Sequence, residues 1–152
     1  MFKKMRRFDK QMSEKATLEL LKNSEIGTLS TIGDNGYPYN TPLNYVFYQG
    51  KIYFHCAKIG SKLDNIRAYS KVCFSVFDEV KVIGEELNTR YKSLVVFGKA
   101  KIIEPTQKIL RELILKYVQM DEDVIKQRIA KEIDITQIVE IEIEHITGKI
   151  GK

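Results

Sequence analysis

The chain of 152 residues has no tryptophan, two cysteines, two histidines and three prolines. Cys56 and Cys73 are too far apart for a zinc ribbon or a redox CxxC pair, and too few for a disulfide scaffold, so a reducing cytoplasm is the expected compartment. A tetrahedral metal site needs three or four matched ligands, which His55, His145 and these cysteines do not supply in sequence. No stretch approaches the roughly 18 continuous apolar residues of a spanning helix, which excludes a helical membrane protein. The start, Met1-Phe2-Lys3-Lys4-Met5-Arg6-Arg7-Phe8, carries charges like those of a signal peptide, but Asp9, Lys10 and Gln11 stand where its apolar core belongs. GxGxxG, GxxxxGK[ST], HExxH and GxSxG patterns are all missing. Any demanding chemistry therefore falls to an organic cofactor.

What is present fits one domain over residues 1–152. With 43% hydrophobic and 30% charged residues, a chain of this length buries roughly 70% of its unfolded surface and needs no staples. The net charge of +5 is modest and not concentrated in a long basic run, so neither nucleic acid nor a membrane surface is indicated. Lys3, Lys4, Arg6 and Arg7 read as a solvated arm.

Ala16, Leu18, Leu20 and Leu21 recur at helical spacing behind Ser13, a natural N-cap. Ile26 to Ile32 is rich in β-formers and meets Asn35-Gly36, the pair favoured in tight hairpins. A second strand, Tyr37 to Tyr48, is interrupted by Pro38 and Pro42, which belong at an edge or a bulge. Lys51 to Ala57 follows as a third strand. A short helix opens at Gly60-Ser61-Lys62, and Lys71 to Phe77 alternates as a fourth strand. Residues 80–90 are polar and ambiguous. Tyr91 to Ile103 is a long strand with a bend at Gly98; after Pro105 the helical spacing of Ile109, Leu110, Leu113, Ile114 and Tyr117 takes over, with a second helix from Asp121-Glu122. Val139, Ile141, Ile143 and His145 alternate with glutamates, a strand with one wet face. Hairpin-linked strands with inserted helices indicate an α+β domain around a barrel-like antiparallel sheet.

The best anchor for a cofactor is His55-Cys56-Ala57-Lys58-Ile59-Gly60-Ser61-Lys62, a strand end running into a helix start. Free helix amides, the Ser61 hydroxyl and the charges of Lys58 and Lys62 suit a phosphate, although Ser and Lys at a helix start also serve as ordinary caps. The proline-interrupted strand adds Thr41-Pro42-Leu43-Asn44, whose backbone groups are free to meet a flat polar ligand. The third segment is Tyr91-Lys92-Ser93 with the strand that follows. His55 and His145 read equally as hydrogen-bonded structural residues, and Cys73 as a small packed hydrophobe.

Together with Met5-Arg6-Arg7, Gly27-Thr28-Leu29-Ser30, Asp34-Asn35-Gly36-Tyr37-Pro38 and His145-Ile146-Thr147-Gly148-Lys149, these segments resemble the FMN-binding split-barrel superfamily typified by pyridoxamine 5′-phosphate oxidase, in its nitroimidazole-resistance branch. The resemblance implies an antiparallel split β-barrel with flanking helices, forming a homodimer with FMN at the subunit interface. It implies that Thr41, Pro42, Leu43 and Asn44 lie against the isoalloxazine, that His55, Cys56 and Ala57 line the ring and ribityl chain, and that Ser61, Lys62 and Ser93 hold the phosphate, with Tyr91 closing that end. The C-terminal His145–Lys149 segment of a second copy would approach the flavin. The Arg-x-x-Leu-Leu-Lys-like strand and basic C-terminal motif of true pyridoxamine phosphate oxidases are absent, which argues against vitamin B6 oxidation. The implied activity is FMN-dependent reduction of a small electrophile such as a nitroaromatic. The rival readings are a non-catalytic protein binding flavin, deazaflavin or haem, and a dimeric interaction domain whose pocket has decayed.

Overall fold

A computed structural model describes all 152 residues, Met1–Lys152. In chain order the elements are α1 (Glu14–Asn23), β1 (Ile26–Ile32), β2 (Pro38–Asn44), β3 (Val46–Tyr48), β4 (Lys51–Ala57), α2 (Ser61–Ala68), β5 (Lys71–Ile83), β6 (Asn88–Ile103), α3 (Gln107–Tyr117), α4 (Glu122–Glu132) and β7 (Thr136–Gly151). Local chemistry sets the boundaries. The Ser13 hydroxyl accepts from the Ala16 amide at 3.2 Å to start α1, and the Thr106 hydroxyl accepts from the Ile109 amide at 3.2 Å to start α3. Gly36 takes φ of +80° in the turn between β1 and β2, a conformation that costs glycine nothing.

All seven strands form one antiparallel sheet in the order β2-β1-β5-β6-β7-β4-β3. Its edge strands, β2 and β3, are consecutive in sequence and separated by Tyr45 alone. The chain itself therefore joins the two edges and closes the sheet into a barrel, the α+β antiparallel split barrel expected from the sequence. Pro38 and Pro42 sit in β2 opposite Ile32 and Thr28, at an edge where a missing amide costs no ladder bond. The interruption of the second strand falls at Tyr45 and not at a proline.

Leu29, Ile52, Phe54, Phe74, Val96 and Ile141 fill the barrel, joined by Leu20 and Leu21 of α1 and by Leu63 and Ile66 of α2. A second apolar cluster lies outside the barrel wall, where Leu110, Leu113, Ile125 and Ile129 of α3 and α4 cover Val46, Tyr53 and Ile138. The ambiguous stretch 80–90 is the tip of a long β5–β6 hairpin, closed by a 3-10 turn at Gly84–Glu86. Its side chains are open to solvent, with Val82 73% and Leu87 97% exposed.

Tyr45 is fully buried at the point where the chain changes partner. Its hydroxyl donates to the Leu21 carbonyl at 2.5 Å, and its ring meets Phe74 edge-on at 4.9 Å. Its own backbone groups have left one ladder and not yet joined the next. The Tyr117 hydroxyl of α3 accepts from the Tyr45 amide at 3.0 Å and lies 2.8 Å from the Tyr45 carbonyl and 2.7 Å from the Glu25 carbonyl, between which its one proton is shared. The neighbouring Lys116 ammonium sits 3.7 Å from the centre of the Tyr45 ring and donates to the Ser24 carbonyl at 2.6 Å.

One expectation needs correction. His145 does not share the inward face of Ile141 and Ile143. The β6–β7 register shifts at Phe97/Gly98, so Glu144 is an extra residue and His145 pairs with outward-facing Phe97. A one-residue bulge flips every later side chain to the other face. A Cβ on Gly98 would strike the Glu142 carbonyl, which is why glycine occupies this crowded step. His145 lies against the ring of Phe2, 4.7 Å away and nearly parallel.

Tyr117→Phe should cost about 1–3 kcal/mol, the penalty for stranding the buried Tyr45 backbone groups, read as a lower urea midpoint. Burial lowers the Lys116 pKa from 10.5 to about 8. Between those values the unfolded chain holds a proton that the folded chain has released, so stability rises with pH across that window. Urea midpoints compared at about pH 7.5 and about pH 9.5 should show this gain in the wild type relative to Lys116→Met.

Candidate functional site

The change of partner at Tyr45 creates the site. Val46 pairs with Tyr53, and continuing that register would set Asn44 opposite His55. Instead Asn44 pairs with Ile26 on β1. A split opens between β2 and β4, flanked by Pro42, Leu43 and Asn44 on one side and His55, Cys56 and Ala57 on the other. After three intervening residues, α2 begins with Ser61 and Lys62.

Strand alternation distributes these side chains over two surfaces. Leu43 packs against the barrel core and shares its face of β2 with Thr41, whereas Pro42 and Asn44 face out. On β4, Cys56 packs against the core and His55 faces out. His55 and Cys56 thus line opposite faces of one strand. Burial pushes the Cys56 thiol pKa up, against the opposing pull of Lys62 and Arg67.

Thr41 Oγ1 is the one buried side-chain oxygen or nitrogen in the chain that lacks a hydrogen-bond partner. Such an atom is rare in a native interior and points to a partner from outside the chain. At the start of α2, Gly60 provides no side-chain cap. The Ser61 and Lys62 amides are first-turn donors with no intrahelical acceptor. Asp64 is engaged by Arg67 at 3.3 Å, while Lys62 makes no ion pair. Free amides, a hydroxyl and an unpaired cation form a donor set suited to a phosphate.

Tyr91 and Ser93 are not brought to the β4 side of the split. His55 is level with Ile138 and Ile103, and Ser93 lies ten residues further along β6, roughly 33 Å of strand. Both belong to the outer face of the sheet. There Pro42, Thr28, Ser75, Val95 and Thr147 form one row across five strands, and Asn40, Ser30, Cys73, Phe97 and His145 form the next. No helix covers these rows of mostly small, polar residues. Phe2 of the N-terminal arm stacks on Phe97 at 5.5 Å.

Sequence reasoning missed the helical wall. A cavity of about 360 Å³ lies where the split meets α3 and α4, with Asn44 and His55 at its mouth and Leu110, Leu113 and Ile114 along its side. Arg128 of α4 stands at the same rim. Only the tertiary placement of α4 brings this arginine to the split, and no local pattern around residue 128 announces it.

An antiparallel barrel closed by one crossing residue, with an open split between β2 and β4, defines a split-barrel protein. The profile of the family described as pyridoxamine 5′-phosphate oxidase matches residues 13–150, and the chain belongs to that family. A search of curated proteins found no match. Among solved structures, a conserved hypothetical protein from Mycobacterium tuberculosis superposes with a TM-score of 0.83 at 22% identity, covering 96% of this chain and 90% of that one. A presumed 5-nitroimidazole antibiotic resistance protein from Bacteroides thetaiotaomicron gives 0.76 at 16% identity, covering 93% and 86%. An FAD-binding protein from Mesorhizobium loti gives 0.69 at 20% identity, covering 93% and 97%. At these identities the likeness is one of fold. No helix of this chain is long and apolar enough to cross a membrane.

Because the Thr41 hydroxyl is buried without a partner, Thr41→Val should raise the stability of the ligand-free protein by about 1 kcal/mol, measured by urea denaturation. A lower midpoint would show that the hydroxyl is satisfied in solution.

Proposed function

We propose that this protein binds FMN in the split as a homodimer and serves as a cytoplasmic oxidoreductase for a small electrophile such as a nitroaromatic. The observation that carries the reading is the unpartnered Thr41 hydroxyl on β2, on a barrel whose β4 leads into the uncapped, cation-bearing start of α2. The residues fit the cofactor. Ser61 and Lys62 would hold its phosphate, with Thr41 as a further hydrogen-bonding group. The backbone of Pro42, Leu43 and Asn44 would meet the polar edge of the ring, while His55 and Ala57 border the opposite side. When bound, FMN would supply two-electron chemistry, with the protein providing orientation and electrostatics.

The chain's own task is positional. Helix-start amides and Lys62 neutralise a dianion without moving a proton. The apolar wall from α3 keeps water from one side of the split. The FAD-binding neighbour from Mesorhizobium loti supports a flavin in this fold, and a phosphate site with one cation and free amides favours FMN. The homodimer reading is supported by the uncovered outer face, where Phe77 is 69% exposed. A second copy seated there would supply Tyr91, Ser93 and the His145–Lys149 segment that one chain alone keeps from the β4 side of the split.

The test is a spectrum of the purified protein followed by titration of FMN into the flavin-free fraction, read by fluorescence. Saturation near one FMN per chain, and an affinity at least tenfold weaker in Lys62→Ala, are expected, because a charge-assisted contact to phosphate contributes about 1.5–3 kcal/mol. A dominant Soret band, or no uptake of FMN, would overturn the reading. Unchanged affinity in Lys62→Ala would remove the phosphate assignment.

A further inference from the structure

We infer that the cavity between the split and the α3–α4 pair is a binding pocket for a small aromatic carboxylate. As the pocket of the electron acceptor, it rests on the flavin reading above; as a binding site, it stands on its own geometry. Its volume of about 360 Å³ is at the lower end of small-molecule sites and suits a single substituted ring. Leu110 and Leu113 are buried at its base, and Ile114, Val118 and Met120 continue the apolar wall. A flat ring is the natural occupant of such a slot.

The polar groups at the rim decide the ring's substituent. Arg128 forms no hydrogen bond or ion pair with any side chain, and the five ion pairs of the protein leave it out. His55, facing it from β4, is equally without a side-chain partner. By contrast, the Tyr117 hydroxyl is committed to Tyr45 and Glu25, and the Asn44 amide nitrogen donates to the Glu25 carbonyl at 3.3 Å, which leaves its oxygen free. A guanidinium presents two parallel donors whose spacing matches a carboxylate, and it is more weakly hydrated than an ammonium. Glu132, one turn further along α4, is the single acidic group at the rim. It makes no ion pair with Arg128 and repels a second negative charge, so the ligand is a mono-acid.

4-Nitrobenzoate and nitrobenzene serve as probes, titrated calorimetrically into flavin-free and FMN-loaded protein. The wild type should bind 4-nitrobenzoate more tightly than nitrobenzene. Arg128→Gln should weaken 4-nitrobenzoate about tenfold while leaving nitrobenzene and FMN affinity unchanged, and Arg128→Lys should restore part of the loss. Ile114→Trp, which fills the slot from its less buried side, should abolish binding of both probes; an unchanged melting temperature verifies that it folds. Equal 4-nitrobenzoate affinity in wild type and Arg128→Gln, or no binding to either form, would overturn the pocket. If FMN fails to bind but 4-nitrobenzoate binds through Arg128, the flavin reading falls and the pocket stands. If FMN binds, and dithionite-reduced protein turns over 4-nitrobenzoate with a KM indifferent to Arg128, the pocket falls and the flavin reading stands.

Discussion

A barrel closed by a strand that must change partners has one place where backbone hydrogen bonding cannot be completed by the sheet. In this chain that place is Tyr45. Its amide and carbonyl have left β1 and not yet reached β4, and buried backbone groups left unpaired are costly. The Tyr117 hydroxyl meets this need from outside the barrel. Much else follows from the requirement that α3 end there. Lys116 is carried with it into a half-buried position over the Tyr45 ring. The burial that lowers its pKa is thus a consequence of barrel closure. The helices could not drift along the outer wall without stranding Tyr45.

The same break determines what the protein can bind. Through most of the barrel wall a strand has neighbours on both sides, and its polar backbone is consumed by the ladder. At the split β2 and β4 do not pair, and a buried hydroxyl, that of Thr41 on β2, remains unpartnered. Strand periodicity then assigns roles. Residues such as Leu43 and Cys56 face the core and maintain the rim, while Asn44 and His55 face out and meet whatever occupies the groove. His55 and Cys56 are adjacent in sequence yet cannot both contact one face of a ligand by their side chains.

Much of the fold was legible because its signals are local. The Ser13 cap, the Asn35-Gly36 turn, the amphipathic spacing of α3 and the alternation of β7 each act over a few residues. Pro38 and Pro42 correctly marked an edge strand, but the strand's true break at Tyr45 depends on β1 and β4, both distant in sequence. The bulge at Glu144 was hidden for a related reason. A glycine at 98 signals close approach, yet the flip of His145 to the outer face depends on which strand carries the extra residue. The stretch 80–90 is ambiguous in sequence because its hairpin extends past the barrel and buries no apolar face. On the site, Ser61 and Lys62 carry chemistry readable from local sequence, whereas the Thr41 hydroxyl and Arg128 stand out only once the barrel and α4 are in place.

Closure and binding therefore share a residue pair. Tyr117 uses its hydroxyl to complete the barrel and its ring to wall the cavity beside Asn44 and His55. Its partner Tyr45 is held from the inside by the Leu21 carbonyl and by Phe74. A rigid seam of this kind keeps the cavity at fixed width, because widening it would pull the Tyr117 hydroxyl from two carbonyls and an amide at once. The barrel's weakest point in hydrogen bonding is thereby its best-defined point in geometry. That definition is what any site needs to hold a ligand in one orientation.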